Sequence, residues 1–352
     1  MPGSQTSMLP VIFSRLILFV SLAALSVTVL AQERGQFLGA KETEMPAWFK
    51  ESFLDFEEDI AEAAANGKRV MLFFHQDGCP YCNRLVEQNF SQKDIAEKAR
   101  ESFAVIAINM WGDREVVTVG GQQFTEKSLA EALDVNYTPT LLFFDEQGQV
   151  VLRINGYYPP ENFRVALDYV AGHEEAKGSF RDYLAARATN PAAAKLNDEP
   201  FFRRGPFDLS RNKRAAHWPL AVYFEQGQCS NCDHLHQKVL ADETTRALAQ
   251  RFDSVQLHMW SDTPVVVPDG RRISAKAWAR ELGVHYAPSV IFFDFAGREV
   301  MRTDAFLKTF HFQSVLDYVL TGAYRKEPSF QRFISARADA LREKGIDVDL
   351  WR

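Results

Sequence analysis

VMLFFHQDGCPYCNR, residues 70–84, places a continuous apolar run, a turn and two cysteines within fifteen positions. Residues 70–74 have the pattern of a strand covered on both faces, since polar residues flank the run and none interrupts it. Residues 75–78 read as the turn. Pro80 stands where a first-turn proline is tolerated, and Leu85, Val86 and Phe90 continue with helical spacing. A cysteine opening a helix after a strand is a redox arrangement. The free N–H groups and positive dipole end of the helix favour the Cys79 thiolate, the species that attacks disulfides.

The chain contains four cysteines, and all fall in two Cys-x-x-Cys pairs, Cys79/Cys82 and Cys229/Cys232. Cysteines three positions apart close a very small loop that stabilises little, so the value of each pair is chemical rather than structural. Zinc ribbons set their pairs about 15–20 residues apart, far closer than here. For Cys229/Cys232 a degenerate pair and a soft-metal site with His234 and His236 stay open beside redox chemistry. Cys-x-x-Cys-His is absent, so covalent haem is not supported, and no cofactor is expected. His75 reads as a polar residue at a strand exit. Trp111 and Trp260 either wall a groove or plug the end of a sheet.

Landmarks recur along the chain. Cys229 follows Cys79 by 150 residues, and Trp260, Pro288, Asp294 and Gly297 follow Trp111, Pro139, Asp145 and Gly148 by 149. SFRDYLAARA near 180 returns as SFQRFISARA near 330. Repetition at this period means tandem copies of one domain, each large enough for its own core. Within the first copy a helix is expected over 48–65, strands over 70–74, 103–110, 140–144 and 150–154, a turn at Gly120-Gly121, and helices over 127–133 and 161–170. The joint is expected within 189–195.

With 352 residues, a formal charge of −6 and 46% apolar content, this is a globular protein. It carries no electrostatic footprint for nucleic acid or an anionic membrane surface, and both are excluded as partners. Residues 1–31 read as a signal peptide: Arg15 precedes an apolar run, and Val29 and Ala31 suit a signal peptidase. An uncleaved membrane anchor is the rival reading. The expected division is a signal peptide at 1–31, a polar approach segment at 32–46, and domains with appended helices at 47–190 and 191–345.

Alternating strands and helices, Cys-x-x-Cys at a strand-to-helix turn, and Thr138-Pro139 or Ala287-Pro288 before a later strand resemble the thioredoxin superfamily over both halves. The fold class is therefore α/β, with two tandem thioredoxin-like domains, each a central mixed sheet flanked by helices. GCPYC, MWGDREV, YTPTLLFFDEQGQVV and NGYYPPENF, in that order, look like the periplasmic thioredoxins of sulfur-oxidation gene clusters, the SoxW-like group. The resemblance implies that Cys79 attacks, Cys82 resolves, and Pro139 is a cis-proline with Thr138 presenting its backbone to substrate. Cys229, Cys232, Ala287 and Pro288 map onto the same roles.

It further implies a periplasmic thiol–disulfide oxidoreductase that reduces disulfide-containing periplasmic proteins, supplied by a membrane thiol-electron carrier of the DsbD or CcdA type. Two departures stand out. Phe73 and Tyr223 occupy the position where thioredoxin has a buried acid. Glu225 and Asp233 flank the second pair and disfavour a thiolate there. The non-enzymatic alternative is a redox-inactive substrate-binding or metal-delivery module of the same fold.

Overall fold

The central strand of each half forms because its five or six apolar residues can be buried only if both sheet faces are covered. The computed structural model describes Gly3 and residues 33–187, 195–212 and 216–351. Apart from Gly3, the expected signal peptide lies outside the described residues, as do positions 189–194 of the expected joint.

In chain order the first half comprises β1 (Phe37–Leu38), α1 (Phe56–Ala65), β2 (Arg69–His75), α2 (Pro80–Arg84), α3 (Lys93–Ser102), β3 (Phe103–Asn109), β4 (Glu115–Val117), β5 (Gln123–Thr125), α4 (Glu126–Ala132), β6 (Thr140–Phe144), β7 (Val150–Asn155), α5 (Pro160–Ala171) and α6 (Phe180–Arg187). The second repeats the order as β8 (Phe207–Asp208), β9 (Leu220–Glu225), α7 (Ser230–His234), α8 (Glu243–Ala249), β10 (Asp253–His258), β11 (Pro264–Val266), β12 (Arg272–Ser274), α9 (Ala275–Glu281), β13 (Ser289–Phe293), β14 (Glu299–Thr303), α10 (Thr309–Leu320) and α11 (Phe330–Glu343), closing with β15 (Val348–Asp349).

The main sheets run β3-β2-β6-β7 and β10-β9-β13-β14. In each, the first pair is parallel and the others antiparallel. Alternation along β2 sends Met71 and Phe73 towards the helix carrying Cys79 and Cys82, and Val70, Leu72 and Phe74 to the opposite core. β9 repeats this with Ala221 and Tyr223 on one face and Leu220, Val222 and Phe224 on the other. Each buried Val, Leu, Met or Phe among them contributes about 1.5–3 kcal/mol.

The first helix starts later than its spacing suggests. Ser52 Oγ accepts from the Leu54 N–H at 2.7 Å, Leu54 takes a φ of 66°, and Asp55 caps α1 by accepting from Glu58 N. Trp48 and Phe49 instead pack edge-on against Phe90.

From Arg34 onward the chain packs as one compact unit. The halves meet about an approximate two-fold relation in which equivalent positions face one another. Asn155 Nδ2 donates to Asp304 Oδ2 at 3.2 Å, and Gly156 lies against Ala305. The segment expected as a polar approach pairs β1 in parallel with β15, Phe37 with Val348 and Leu38 with Asp349, and then passes α2, where Asn83 donates to Glu42 O.

Candidate functional site

Each Cys-x-x-Cys pair sits at the C-terminal end of its central strand because the strand delivers the chain directly into a short helix. Cys79 is the N-cap of α2, with Pro80 in the first turn, and Cys229 is the N-cap of α7. Both pairs are disulfide-bonded. The N–H of Cys82 points to Cys79 Sγ at 3.0 Å, and that of Cys232 to Cys229 Sγ at 3.1 Å. Both helices then widen into one π-helical turn, Leu85–Asn89 and Leu235–Val239. Asn89 pins the first of these by donating to Tyr158 O and accepting from Tyr157 Oη.

Thr138-Pro139 and Ala287-Pro288 are cis peptides, as expected, and Gly205-Pro206 is a third among the described residues. Thr138 O lies 3.5 Å from Cys79 Sγ, and Ala287 O lies 3.5 Å from Cys229 Sγ. The structure therefore brings each cysteine to the proline loop assigned to it.

The two sites differ in what lies next to them. Cys79 and Thr138 line a cleft of about 240 Å³. The cavity beside the second helix, bordered by Asn231, His234 and Pro288, is only about 20 Å³. The first cleft is roofed by the other half of the chain. Gln331 Nε2, on α11, donates to Asn136 O at 2.8 Å, and Gln76 Nε2 donates to Gln331 Oε1 at 2.8 Å. Trp111 stands behind Gln76, its indole N–H donating to Gln76 Oε1 at 2.8 Å, and the Arg332 guanidinium lies over its ring. Trp260 holds Gln226 in the same way beneath Arg181. Each tryptophan thus holds one glutamine in place by its indole N–H.

The third residue of each motif crosses to the opposite half: Tyr81 to His311 on α10, and Asn231 to Asn162 on α5. Burial pushes His311 down to about 3 and keeps its ring neutral, and its Nδ1 shares a hydrogen bond with Tyr81 Oη at 3.2 Å, while Tyr81 Oη accepts from Lys308 N at 2.9 Å. Tyr81→Phe strands the Lys308 N–H and is expected to cost about 1–2 kcal/mol. Urea unfolding checks this; an unchanged midpoint would mean that the bridge contributes nothing.

Sequence reading missed the electrostatic setting of the second pair. Glu225 ends β9 fully buried and is not a free carboxylate beside Cys229. His236 Nε2 contacts its Oε1 at 3.0 Å, His236 Nδ1 contacts Glu199 Oε1 at 3.0 Å, and Gln256 Nε2 donates to Glu225 Oε2. Burial opposes a charged ring, but hydrogen bonds and charge from Glu225 and then Glu199 outweigh it, and His236 titrates above its ordinary value. In the first half the position equivalent to Glu225 is His75, which burial holds below its ordinary value and hence neutral.

The raised His236 value stabilises the fold fully below the unfolded value of about 6.5 and loses that contribution as pH climbs through the folded value. Glu225→Gln is therefore expected to cost about 2 kcal/mol below pH 6.5 and progressively less above it. Urea titrations across pH test this; a cost that grows with pH refutes the charged pair. The metal alternative for Cys229, Cys232, His234 and His236 is not assembled: both His236 nitrogens are taken, and His234 stacks on Phe306. Among the described residues no cluster of three or more metal-ligating side chains is arranged to hold an ion. Nor, among them, is any helix long and apolar enough to cross a membrane.

Comparison with known proteins agrees with this architecture. The thiol:disulfide interchange protein DsbD of Photorhabdus laumondii is 29% identical over 105 residues, covering 29% of this chain and 16% of that protein. DsbD of Vibrio cholerae is 32% identical over 111 residues, covering 31% and 17%. The chain thus spans less than a fifth of the length of these two relatives. Among solved structures, a thioredoxin-fold protein from Helicobacter pylori is similar at 22% identity and a TM-score of 0.30, covering 35% of this chain and 80% of that one. The reduced C-terminal domain of Neisseria meningitidis DsbD is similar at 15% identity and a TM-score of 0.25, covering 32% and 90%. The thioredoxin-like domain family matches residues 56–171 and again 208–320, more than half of the chain, and the chain belongs to that family twice over.

Proposed function

We propose that this chain is an exported thiol–disulfide oxidoreductase that reduces disulfides through Cys79, with Cys82 as the resolving thiol. The observation that carries the reading is that Cys79 Sγ faces Thr138 O at 3.5 Å and borders an accessible cleft. Thr138 and Pro139 form the wall against which a substrate disulfide would lie, and Ala287 and Pro288 are their counterparts beside Cys229 and Cys232. Electrons would come from a membrane thiol carrier of the DsbD or CcdA type, and the DsbD relatives support such chemistry. Reduction of a periplasmic protein requires an extended segment to reach Thr138, where α11 now lies, so a protein substrate would have to displace that helix.

The test is the reduction potential of each pair, measured by equilibration in thiol buffers and quantitative alkylation. A reductase should place Cys79/Cys82 at about −200 mV or lower, whereas a value near about −120 mV would reverse the direction to disulfide donation. A pair that does not equilibrate at all would favour the redox-inactive binding module.

A further inference from the structure

We infer that the Cys79 cleft is a substrate site for uncharged disulfides of low molecular weight, and that it discriminates against anionic disulfides and folded proteins. This rests on the proposed redox role of Cys79 and Cys82 and assigns its substrate class.

Three observations carry it. The first is closure: Cys79 is 3% exposed and Tyr137 8% exposed, and the proline loop is already hydrogen-bonded through Asn136 O to Gln331 of α11. A folded protein would have to displace that helix to reach the sulfur. The second is size: the cleft holds about 240 Å³, below the roughly 300–1,000 Å³ of pockets for drug-sized ligands.

The third is chemistry. Phe310, Ile334 and Ala338, all buried, supply an apolar wall opposite Cys79. Asp77 is the only acidic residue among the described lining residues, and the one histidine among them, His311, is held neutral by burial. No lysine or arginine is among them: Arg337, whose guanidinium stacks on Phe310, is paired with Asp317, and Arg84 and Lys308 lie over the rings of Tyr157 and Phe306 without lining the cleft themselves. A carboxylate-bearing disulfide would face Asp77 and lose its hydration with no lysine or arginine among the lining residues to pair with it.

In the reaction the Cys79 thiolate attacks one sulfur of R–S–S–R, forming the mixed disulfide Cys79–S–S–R and expelling RS⁻, which takes up a proton. The Cys82 thiolate then attacks Cys79 sulfur, closing the Cys79–Cys82 bridge and expelling the second RS⁻. Two electrons pass from the protein dithiol to the substrate, which leaves as two RSH.

The experiment uses the full chain carrying Cys229→Ser and Cys232→Ser, reduced and freed of reductant, so that only the first pair reports. Single-turnover oxidation is followed with 2-hydroxyethyl disulfide, glutathione disulfide and insulin, each rate being normalised to that of dithiothreitol with the same disulfide. The normalised rate for 2-hydroxyethyl disulfide is expected to exceed the other two by at least about tenfold. Ile334→Trp and, independently, Ala338→Leu should slow it by at least about tenfold by filling the cleft, with far-UV circular dichroism confirming the fold.

Equal normalised rates, or a fully folded filled-cleft variant that reacts as fast as the parent, would overturn the substrate assignment while leaving the redox role intact. Failure of the pair to react with any of the three disulfides would overturn both.

Discussion

Cys79→Ser is expected to lower disulfide-exchange activity of the full chain by at least about a hundredfold, because serine supplies no thiolate at neutral pH. Cys229→Ser should leave most of that activity. Fractional exposure alone would rank the sites the other way, with Cys79 3% exposed and Cys229 8%. Exposure is outweighed by where each sulfur opens and by the charge behind it. Cys79 borders the 240 Å³ cleft, whereas Cys229 is not among the residues around the 20 Å³ cavity of its half.

On the Cys229 side two acidic residues, Glu225 and Glu199, share the single His236 ring, and an excess of acids over bases disfavours a thiolate nearby. The equivalent behind Cys79 is a neutral His75. Rate-resolved alkylation of the reduced protein with peptide mapping, together with exchange assays of both variants, tests the ranking. If Cys229 alkylates first, or its loss is the more damaging, the second half is the principal catalyst.

Gly156→Ala should destabilise the whole chain by about 3 kcal/mol and lower Tm by roughly 5–10 °C. Gly156 has a φ of 89°, and a Cβ added there would stand 2.6 Å from Ala305 Cβ. Neither atom lies on a flexible side chain, so the backbones of the two halves must separate. The same separation would draw α11 from the Cys79 cleft, and Cys79 in the reduced variant should alkylate faster than in the parent. Ala305→Gly added to Gly156→Ala should restore the steric part and leave only the cost of the left-handed backbone. Calorimetry of the single and double variants decides it: an unchanged Tm in Gly156→Ala, or no rescue in the double variant, would show that this contact does not hold the halves together.

The sequence by itself determined each half. The uninterrupted apolar runs that became β2 and β9 had to be buried on both faces, Gly and Pro marked the turns, and the recurrence of Cys, Trp and Pro at a nearly constant interval showed that one fold was written twice. These signals are legible because they are local or periodic. The prolines beside Cys79 and Cys229 were legible through resemblance, since the motif travels with the fold. The start of α1 was not, because Trp48 and Phe49 have helical spacing but pack on Phe90 while Ser52 and Asp55 set the cap further on.

Only the tertiary structure decided what the two copies do to one another. Gln331 meets Asn136, Tyr81 meets His311, and Gly156 meets Ala305 across separations of 195, 230 and 149 residues. No spacing rule links residues so far apart. It also decided the charge behind Cys229: Glu225 read alone is an acid near a thiol, but folding brings His236 and Glu199 onto it. A buried charge is governed by the groups that replace its water, and those come from whichever segments the fold packs there.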